Sequence, residues 1–103
     1  VYFASASLDK TIKIFDVKKL KIRNLIKNEY SYTCIKWFNK NSDLLLAGDI
    51  NGIINVYDAR NGENVKTFHG HTNIIQNMDV SFDDKYIISG SDDSSVLVFS
   101  LYK

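Results

Sequence analysis

Short apolar runs separated by polar turn residues follow one another along the whole 103-residue chain. The runs are rich in Ile, Val, Tyr and Phe, and proline is absent, which favours β-strands over helices. Asp49–Gly52, Arg60–Gly62 and Ser81–Asp84 have turn chemistry, because Gly, Asn and Asp tolerate bent or left-handed backbone. The pattern predicts an all-β meander with strands at residues 1–7, 11–16, 22–27, 32–38, 44–48, 53–58, 64–68, 74–80, 86–90 and 95–101.

Two of the predicted strands are apolar on both faces. Leu44–Leu46 and Tyr86–Ile88 show no alternation between apolar and polar side chains. Strands of this kind are usually covered on both sides. We therefore expect both to lie between neighbouring layers of structure.

The same pattern recurs three times along the chain. Each unit reads small, small, polar, any residue, Asp or Asn, any two residues, aliphatic, any residue, aliphatic, aromatic and polar. The aromatic position moves by 42 residues twice, from Phe15 to Tyr57 and from Tyr57 to Phe99. Ile35 and Met78 match in a second register, at an offset of 43 residues. A constant period of this length indicates a repeat architecture.

A four-strand unit of this length resembles the WD-repeat family, whose period is about 40–45 residues. The third unit carries Gly70-His71 at the family's Gly-His position, and Ser81-Phe-Asp-Asp-Lys85 replaces the usual Ser-Pro-Asp-Gly-Lys turn. The resemblance covers essentially the whole chain. It implies part of a β-propeller ring built from antiparallel four-stranded blades: the end of a first blade at 1–27, a full middle blade at 28–68 and most of a third blade at 69–103.

In this family a His, a Ser or Thr, a turn Asp and a strand Trp form a hydrogen-bonded structural tetrad within each blade. The resemblance places the tetrad of the third unit at His71, Ser89 or Ser91, Asp93 and Phe99, although Phe99 has no N–H to donate. The first unit offers Ser5, Asp9 and Phe15, and the middle unit has Asn28, Ala47, Asn51 and Tyr57. We therefore expect the middle blade to depend on packing more than on a tetrad.

Charge is close to balanced overall, at +1, but is unevenly distributed. A basic strip spans Lys10–Lys27, with Lys10, Lys13, Lys18, Lys19, Lys21, Arg23 and Lys27. Acidic residues gather near the end, at Asp79, Asp83, Asp84, Asp92 and Asp93. Two interpretations stay open: a pair of solvated faces, or a basic strip that faces an acidic partner or RNA.

Cys34 is the only cysteine, so no internal disulfide is possible and a reducing compartment, cytoplasmic or nuclear, is favoured. Its apolar surroundings in the sequence indicate a small core residue. No apolar run approaches the ~18 residues that a membrane span needs, and no signal peptide is visible. The sequence therefore predicts an intracellular protein without a membrane partner.

Several residue groups mimic catalytic or metal sites without completing one. His71, Ser89 and Asp93 are the residue types of a hydrolase triad, but the repeat explains the same three residues as turn-locking groups. His69 and His71 form a His-x-His pair, yet no third or fourth zinc ligand is evident. The Asp and Asn turns lack the alternating ligands and distal Glu of a calcium loop. We predict no enzyme activity, no cofactor, no metal and no small-molecule substrate.

The predicted partner contacts lie at the two rims of the propeller. The resemblance places Leu8, Tyr30 and Ile50 at one rim and Phe82 at the other. We expect contacts there because loops on a rigid scaffold are common binding sites. Asp58-Ala59-Arg60 matches an ending that, in some WD-repeat proteins, docks onto the adaptor of a cullin-RING ubiquitin ligase. An Arg can bind such a partner with two charge-assisted hydrogen bonds.

The predicted function is a protein-interaction scaffold that assembles a multiprotein complex. The alternatives are a subunit of an RNA-processing ribonucleoprotein particle, in which the basic strip binds RNA, and a substrate receptor of a ubiquitin ligase. A propeller needs about four to eight blades, more than this sequence supplies. We therefore expect the chain to be unstable or to self-associate when it is expressed alone.

Overall fold

The computed structural model describes residues 2–6, 9–16, 18–19, 21–28, 30–41 and 43–101, apart from the side chains of Tyr2 and Arg23. It contains ten strands at the predicted places, and the described residues include no helix. The strands are β1 (Tyr2–Ala6), β2 (Thr11–Asp16), β3 (Lys21–Lys27), β4 (Tyr32–Trp37), β5 (Leu44–Asp49), β6 (Ile53–Asp58), β7 (Glu63–His69), β8 (Ile75–Val80), β9 (Tyr86–Ser91) and β10 (Val96–Ser100). Among the described residues, no helix is long and apolar enough to cross a membrane.

The strands form three antiparallel sheets in which each strand pairs with its neighbour in sequence. The first sheet has the order β1-β2-β3, the middle sheet β4-β5-β6-β7 and the third sheet β10-β9-β8. Short turns suffice because antiparallel neighbours need no crossover. The all-β expectation is confirmed, and three meandering sheets packed side by side make up part of a β-propeller.

Two apolar cores separate the three sheets. We call the face that packs on the following sheet the leading face and the face that packs on the preceding sheet the trailing face. Between the first and middle sheets, Ile12 and Ile14 of the leading face are buried among trailing-face side chains that include Leu45 and Tyr57. The second core joins leading-face side chains of the middle sheet to trailing-face side chains of the third: Leu46, Ile54, Val56, Ile75, Met78, Val80 and Ile87. Full burial of each such aliphatic side chain contributes about 1.5–3 kcal/mol.

Burial on both faces is correct for β5 but wrong for β9. Leu45 and Leu46 lie on opposite faces of β5 and are both fully buried, one in each core. Ile87 is buried, whereas its neighbours Tyr86 and Ile88 are exposed. The reason is that no described part of this chain packs on the leading face of the third sheet.

A buried carboxylate locks the middle and third sheets together at their turns. Asp84, in the β8–β9 turn, is almost fully buried and has a left-handed φ of 62°. Its carboxylate accepts hydrogen bonds from the backbone amides of Asn39 (2.7 Å), Lys40 (2.6 Å) and Asn41 (2.9 Å) in the β4–β5 turn. Burial raises the pKa of Asp84, but these three bonds outweigh that effect and leave the pKa below its usual value.

Candidate functional site

His71 is the centre of a hydrogen-bonded group in the third sheet. It lies in the loop between β7 and β8, and its side chain is buried. Nε2 shares a 2.6 Å hydrogen bond with the hydroxyl of Ser89 on β9. Nδ1 lies 3.0 Å from the carboxylate of Asp93 and 3.0 Å from the hydroxyl of Ser95. Of the residues that the resemblance selects, His71 therefore contacts both Ser89 and Asp93 directly.

Asp93 fixes both the His71 loop and its own turn. It accepts hydrogen bonds from the hydroxyl and the amide of Ser95, the latter at 2.9 Å, and from the amide of Thr72 at 2.9 Å. The Ser95 hydroxyl, followed by the Thr72 amide, holds the pKa of Asp93 well below its usual value. The carboxylate thus accepts hydrogen bonds from two backbone amides, those of Thr72 and Ser95, and so stabilises both the loop and the turn.

The other two residues that the resemblance selects for this unit lie outside the hydrogen-bonded group. The Ser91 hydroxyl donates to the carbonyl of Asn73 at 3.1 Å, so Ser89 is the serine that contacts His71. Phe99 stacks in a tilted arrangement on Phe68, with ring centroids 4.9 Å apart. Its contribution is apolar packing, as expected for a side chain without a donor.

The arrangement has the connectivity of a hydrolytic triad but not its accessibility. A nucleophilic serine must reach a substrate carbonyl next to a group that stabilises the oxyanion. Ser89 has 0% of its surface exposed. Its hydroxyl lies between the middle and third sheets, so the geometry suits a structural hydrogen bond rather than attack on a substrate.

The first sheet has a turn of the same kind. Asp9 accepts hydrogen bonds from the amide (3.1 Å) and the hydroxyl of Thr11, as Asp93 does from Ser95. The ring of Phe15 lies 6.4 Å from that of Phe3 on the trailing face. Ser5 is exposed on that face.

In the middle sheet the carboxylate that accepts the turn amides belongs to Asp49, two residues before Asn51, which holds the Asp position of the repeat. Asp49 is almost fully buried and accepts hydrogen bonds from the amides of Asn51 (2.9 Å) and Ile53 (3.0 Å). Asn28 replaces the histidine and donates its side-chain amide to Asp49 at 3.1 Å. A carboxylate two residues earlier in the chain therefore reaches the same turn.

The middle sheet, which we expect from the sequence to depend on packing more than on a tetrad, contains a second polar group. The hydroxyls of Tyr32 and Tyr57 share a 2.9 Å hydrogen bond, and burial raises the pKa of both. The Thr67 hydroxyl donates to the Asn55 side chain at 2.7 Å, and Asn64 donates to it at 3.2 Å. Ala47 packs in the core between the first two sheets. The middle sheet thus has a polar network of its own instead of the histidine-centred one.

A solvent-open cleft of about 420 Å³ lies beside this network, between the first and middle sheets. Its lining includes Asn55, Tyr57 and His69. Among the described residues, no group of three or more His, Cys, Asp or Glu side chains could hold a metal ion. The cleft therefore offers hydrogen-bonding groups but no evident metal ligand set.

Arg60 is engaged within the chain. Its guanidinium donates to both carboxylate oxygens of Asp58, at 3.1 and 2.8 Å, and lies 3.8 Å from Asp43. The hydrogen bond to Asp58 is the main reason why the pKa of Arg60 is raised. A partner that binds this guanidinium would have to compete with Asp58.

The predicted rim residues lie at opposite ends of the strands. Ile50 and Tyr30 lie at one end, where Ile50 is exposed and Tyr30 is half-buried. Phe82 lies at the other end, in the β8–β9 turn, is 84% exposed, and has the Lys40 ammonium 5.4 Å from its ring centroid. Leu8 lies outside the described residues. The rim residues therefore do not converge on one site.

Comparison with known proteins agrees with this architecture. Residues 1–16 and 62–100 match the family model described as WD domain, G-beta repeat. The chain is 33% identical, over 93% of its length, to an uncharacterized WD repeat-containing protein of Schizosaccharomyces pombe, of which it covers 24%. It is 38% identical over 66% of its length to eukaryotic translation initiation factor 3 subunit I of Xenopus tropicalis, covering 21% of that protein. It is 33% identical over 89% of its length to nuclear distribution protein PAC1 of Saccharomyces cerevisiae, covering 19%. The chain thus spans between about a fifth and a quarter of the length of these relatives.

Proposed function

The chain belongs to the WD-repeat family, and we propose that it acts as a protein-interaction scaffold through the turns at its two rims. The first, middle and third sheets then represent the end of one blade (1–27), a complete blade (28–68) and most of a third (69–103). Its partners are other proteins of a multisubunit complex inside the cell, and it has no catalytic role.

The observation that carries this proposal is the contrast between the core and the rims. His71 and Ser89 are buried and share a hydrogen bond, and Asp93, which is half-buried, contacts His71 from the other side of the ring. The rims, in contrast, present large apolar side chains on rigid turns, above all Phe82. The hydrogen bonds of Asp84 to the neighbouring turn fix the backbone near Phe82, so little backbone freedom is lost on binding, which favours recognition of a protein surface.

The relatives support an assembly role in general terms. One of them is named as a subunit of translation initiation factor 3. We transfer from that name only the coarse role of a component of a larger assembly.

The RNA alternative depends on the basic strip, whose described lysine side chains are exposed. Such a strip can follow a phosphate backbone without sequence readout.

Affinity capture of the protein with and without Phe82→Ala tests this proposal. We expect the variant to lose about tenfold of the co-purifying protein, because truncating an interface anchor typically costs more than 1 kcal/mol. Val65→Ala is the matched control, since Val65 is also exposed and apolar but lies on the outer strand β7. Equal capture by all three proteins would contradict a rim-based scaffold. Capture that ribonuclease abolishes would favour the RNA alternative, and loss of a ligase adaptor with Arg60→Ala would favour the ligase alternative.

A further inference from the structure

The cleft between the first and middle sheets is bordered by their edge strands, β3 and β7. On the β7 side its lining residues Asn64, Thr67 and His69 are exposed and polar. Apolar side chains also line it, because Ile26 is 4% exposed and Ile53 is half-buried. Its volume of about 420 Å³ lies within the range of ligand-binding clefts.

The corresponding space between the middle and third sheets is filled by aromatic side chains. Ile26 pairs with Ile12, and Phe68 pairs with Ile54, which lies 42 residues after Ile12. Phe68 therefore holds the place of Ile26 in the next repeat. It packs on Phe99, with the two ring centroids 4.9 Å apart. Open space at this position is thus specific to the first pair of sheets and does not follow from the repeat itself.

Polar residues replace apolar ones on the middle-sheet side of the cleft. Asn55 and Tyr57 hold the places that Leu97 and Phe99 hold in the third sheet. Asn55 is 6% exposed. A buried amide at such a place is costly unless it is hydrogen-bonded, and here Thr67 donates to it at 2.7 Å. The cleft therefore has a fixed polar lining where the next repeat has close apolar packing.

Two asparagine side chains of the lining have committed their donors within the chain. Nδ2 of Asn28 donates to the carbonyl two residues later, at 3.0 Å, and to Asp49, at 3.1 Å. Nδ2 of Asn64 donates to Asn55 at 3.2 Å and to Thr67 at 3.0 Å. An amide nitrogen carries only two hydrogens, so the atom that each side chain keeps for a ligand is the acceptor Oδ1.

These two acceptors lie towards opposite ends of the cleft. Asp49 accepts hydrogen bonds from Asn28 and from the amide of Ile53. Ile53 pairs with His69, so Asn28 lies at the end of the cleft marked by His69. Asn64 is five residues before His69 on β7, a separation of about 17 Å along an extended strand. An extended peptide of about five residues has the same length and presents N–H groups on one side at every second residue.

We propose that this cleft binds an extended peptide segment of a partner protein, about four or five residues long, with an aliphatic side chain directed at Ile26 and Ile53. Main-chain N–H groups of the segment donate to the Oδ1 atoms of Asn28 and Asn64, as they donate to carbonyl oxygens in a sheet. The proposal goes beyond the rim-based scaffold role, because the site lies between edge strands and not at a rim.

An array of acetylated and amidated pentapeptides, each with a fixed central residue and mixed flanking residues, tests the chemistry of the ligand. We expect the labelled protein to bind peptides with central Leu, Ile or Val at least fivefold more strongly than those with Asp or Lys. N-methylation of the outer amides of the best peptide should weaken binding at least fivefold, because it removes the donors to the two asparagines. Absence of peptide binding, a preference for a charged centre or tolerance of N-methylation would overturn the proposal.

Three variants locate the binding of the best peptide. Ile26→Phe introduces the residue that fills this place in the next repeat and is expected to lower the affinity at least tenfold. Ile22→Phe is the matched control, since Ile22 is an exposed residue of β3 outside the lining, and should bind as the wild type does. Asn64→Ala removes one acceptor at an exposed position and should weaken binding about fivefold. Unchanged affinity in Ile26→Phe or in Asn64→Ala would overturn the proposal and leave the role of Phe82 intact.

Discussion

Gly52→Ala is expected to destabilise the protein by about 3 kcal/mol, because a left-handed backbone and a steric clash coincide there. Gly52 has a φ of +81°, and an added Cβ would lie 2.5 Å from the carbonyl oxygen of His71 and 2.8 Å from that of Asn73. Both contacts are with backbone of the loop that precedes the third sheet. The substitution must therefore separate two sheets rather than move a flexible side chain. Urea unfolding at one fixed protein concentration measures the loss.

Gly62→Ala is the matched control for this substitution. Gly62 has nearly the same φ, +78°, but an added Cβ would find its nearest neighbour 3.7 Å away. Only the left-handed backbone then opposes the change, at about 1 kcal/mol. The difference between the two variants isolates the contact between the middle sheet and the loop at His71. Equal losses for both would show that the sheets are not packed as described.

His71→Ala is expected to cost about 3 kcal/mol of unfolding free energy. The substitution removes the hydrogen bond to Ser89 and the contacts with Asp93 and Ser95. It leaves the Ser89 hydroxyl buried without its partner and opens a cavity beside it. The same urea titration, at the same protein concentration, gives the change in free energy.

His69→Ala is the control for the histidine substitution, because His69 is only two residues away and exposed. Its loss should change the free energy of unfolding by no more than about 0.5 kcal/mol. If His69→Ala proved as harmful as His71→Ala, the buried hydrogen-bonded group would not be a specific source of stability.

The sequence predicts the strands and the repeat well because these depend on local patterns. Alternating apolar positions and Gly, Asn and Asp turns are visible within a few residues, and all ten strands follow from them. The contact of His71 with Ser89 and Asp93 could be anticipated because each residue holds a fixed place in a repeating unit.

The interactions that the sequence did not predict are those decided by the neighbouring sheet. The sequence marks Asp84 as a turn residue, a member of an acidic group and a departure from the family turn, but it does not identify its hydrogen-bond partners. Its bonds to Asn39, Lys40 and Asn41 arise because the neighbouring turn offers three amides to one buried carboxylate. In the middle sheet the turn amides of Asn51 and Ile53 donate to Asp49, two residues before the aligned position, Asn51. Alignment of equivalent positions does not reveal such a shift.

Arg60 shows the same limit at the surface. The sequence indicates a charged residue available to a partner, whereas the structure pairs it with Asp58, two residues earlier. The order of the residues does not determine whether such a side chain turns back on the chain or extends from it. The structure also places Phe82 beside Lys40 of the neighbouring turn, an arrangement that the sequence does not reveal.

Amide hydrogen exchange at Asn39, Lys40 and Asn41, followed by NMR, tests most directly the claim that successive sheets pack as neighbours in a partial propeller. Asn39 and Lys40 are exposed turn residues, yet all three amides donate to Asp84 of the third sheet. We predict exchange slowed by about tenfold or more, which corresponds to about 1.4 kcal/mol. The slowing should disappear in Asp84→Gly, which removes the carboxylate and suits the left-handed backbone. Exchange of these amides at the rate of an open turn in the wild-type chain would contradict the packing of the two sheets.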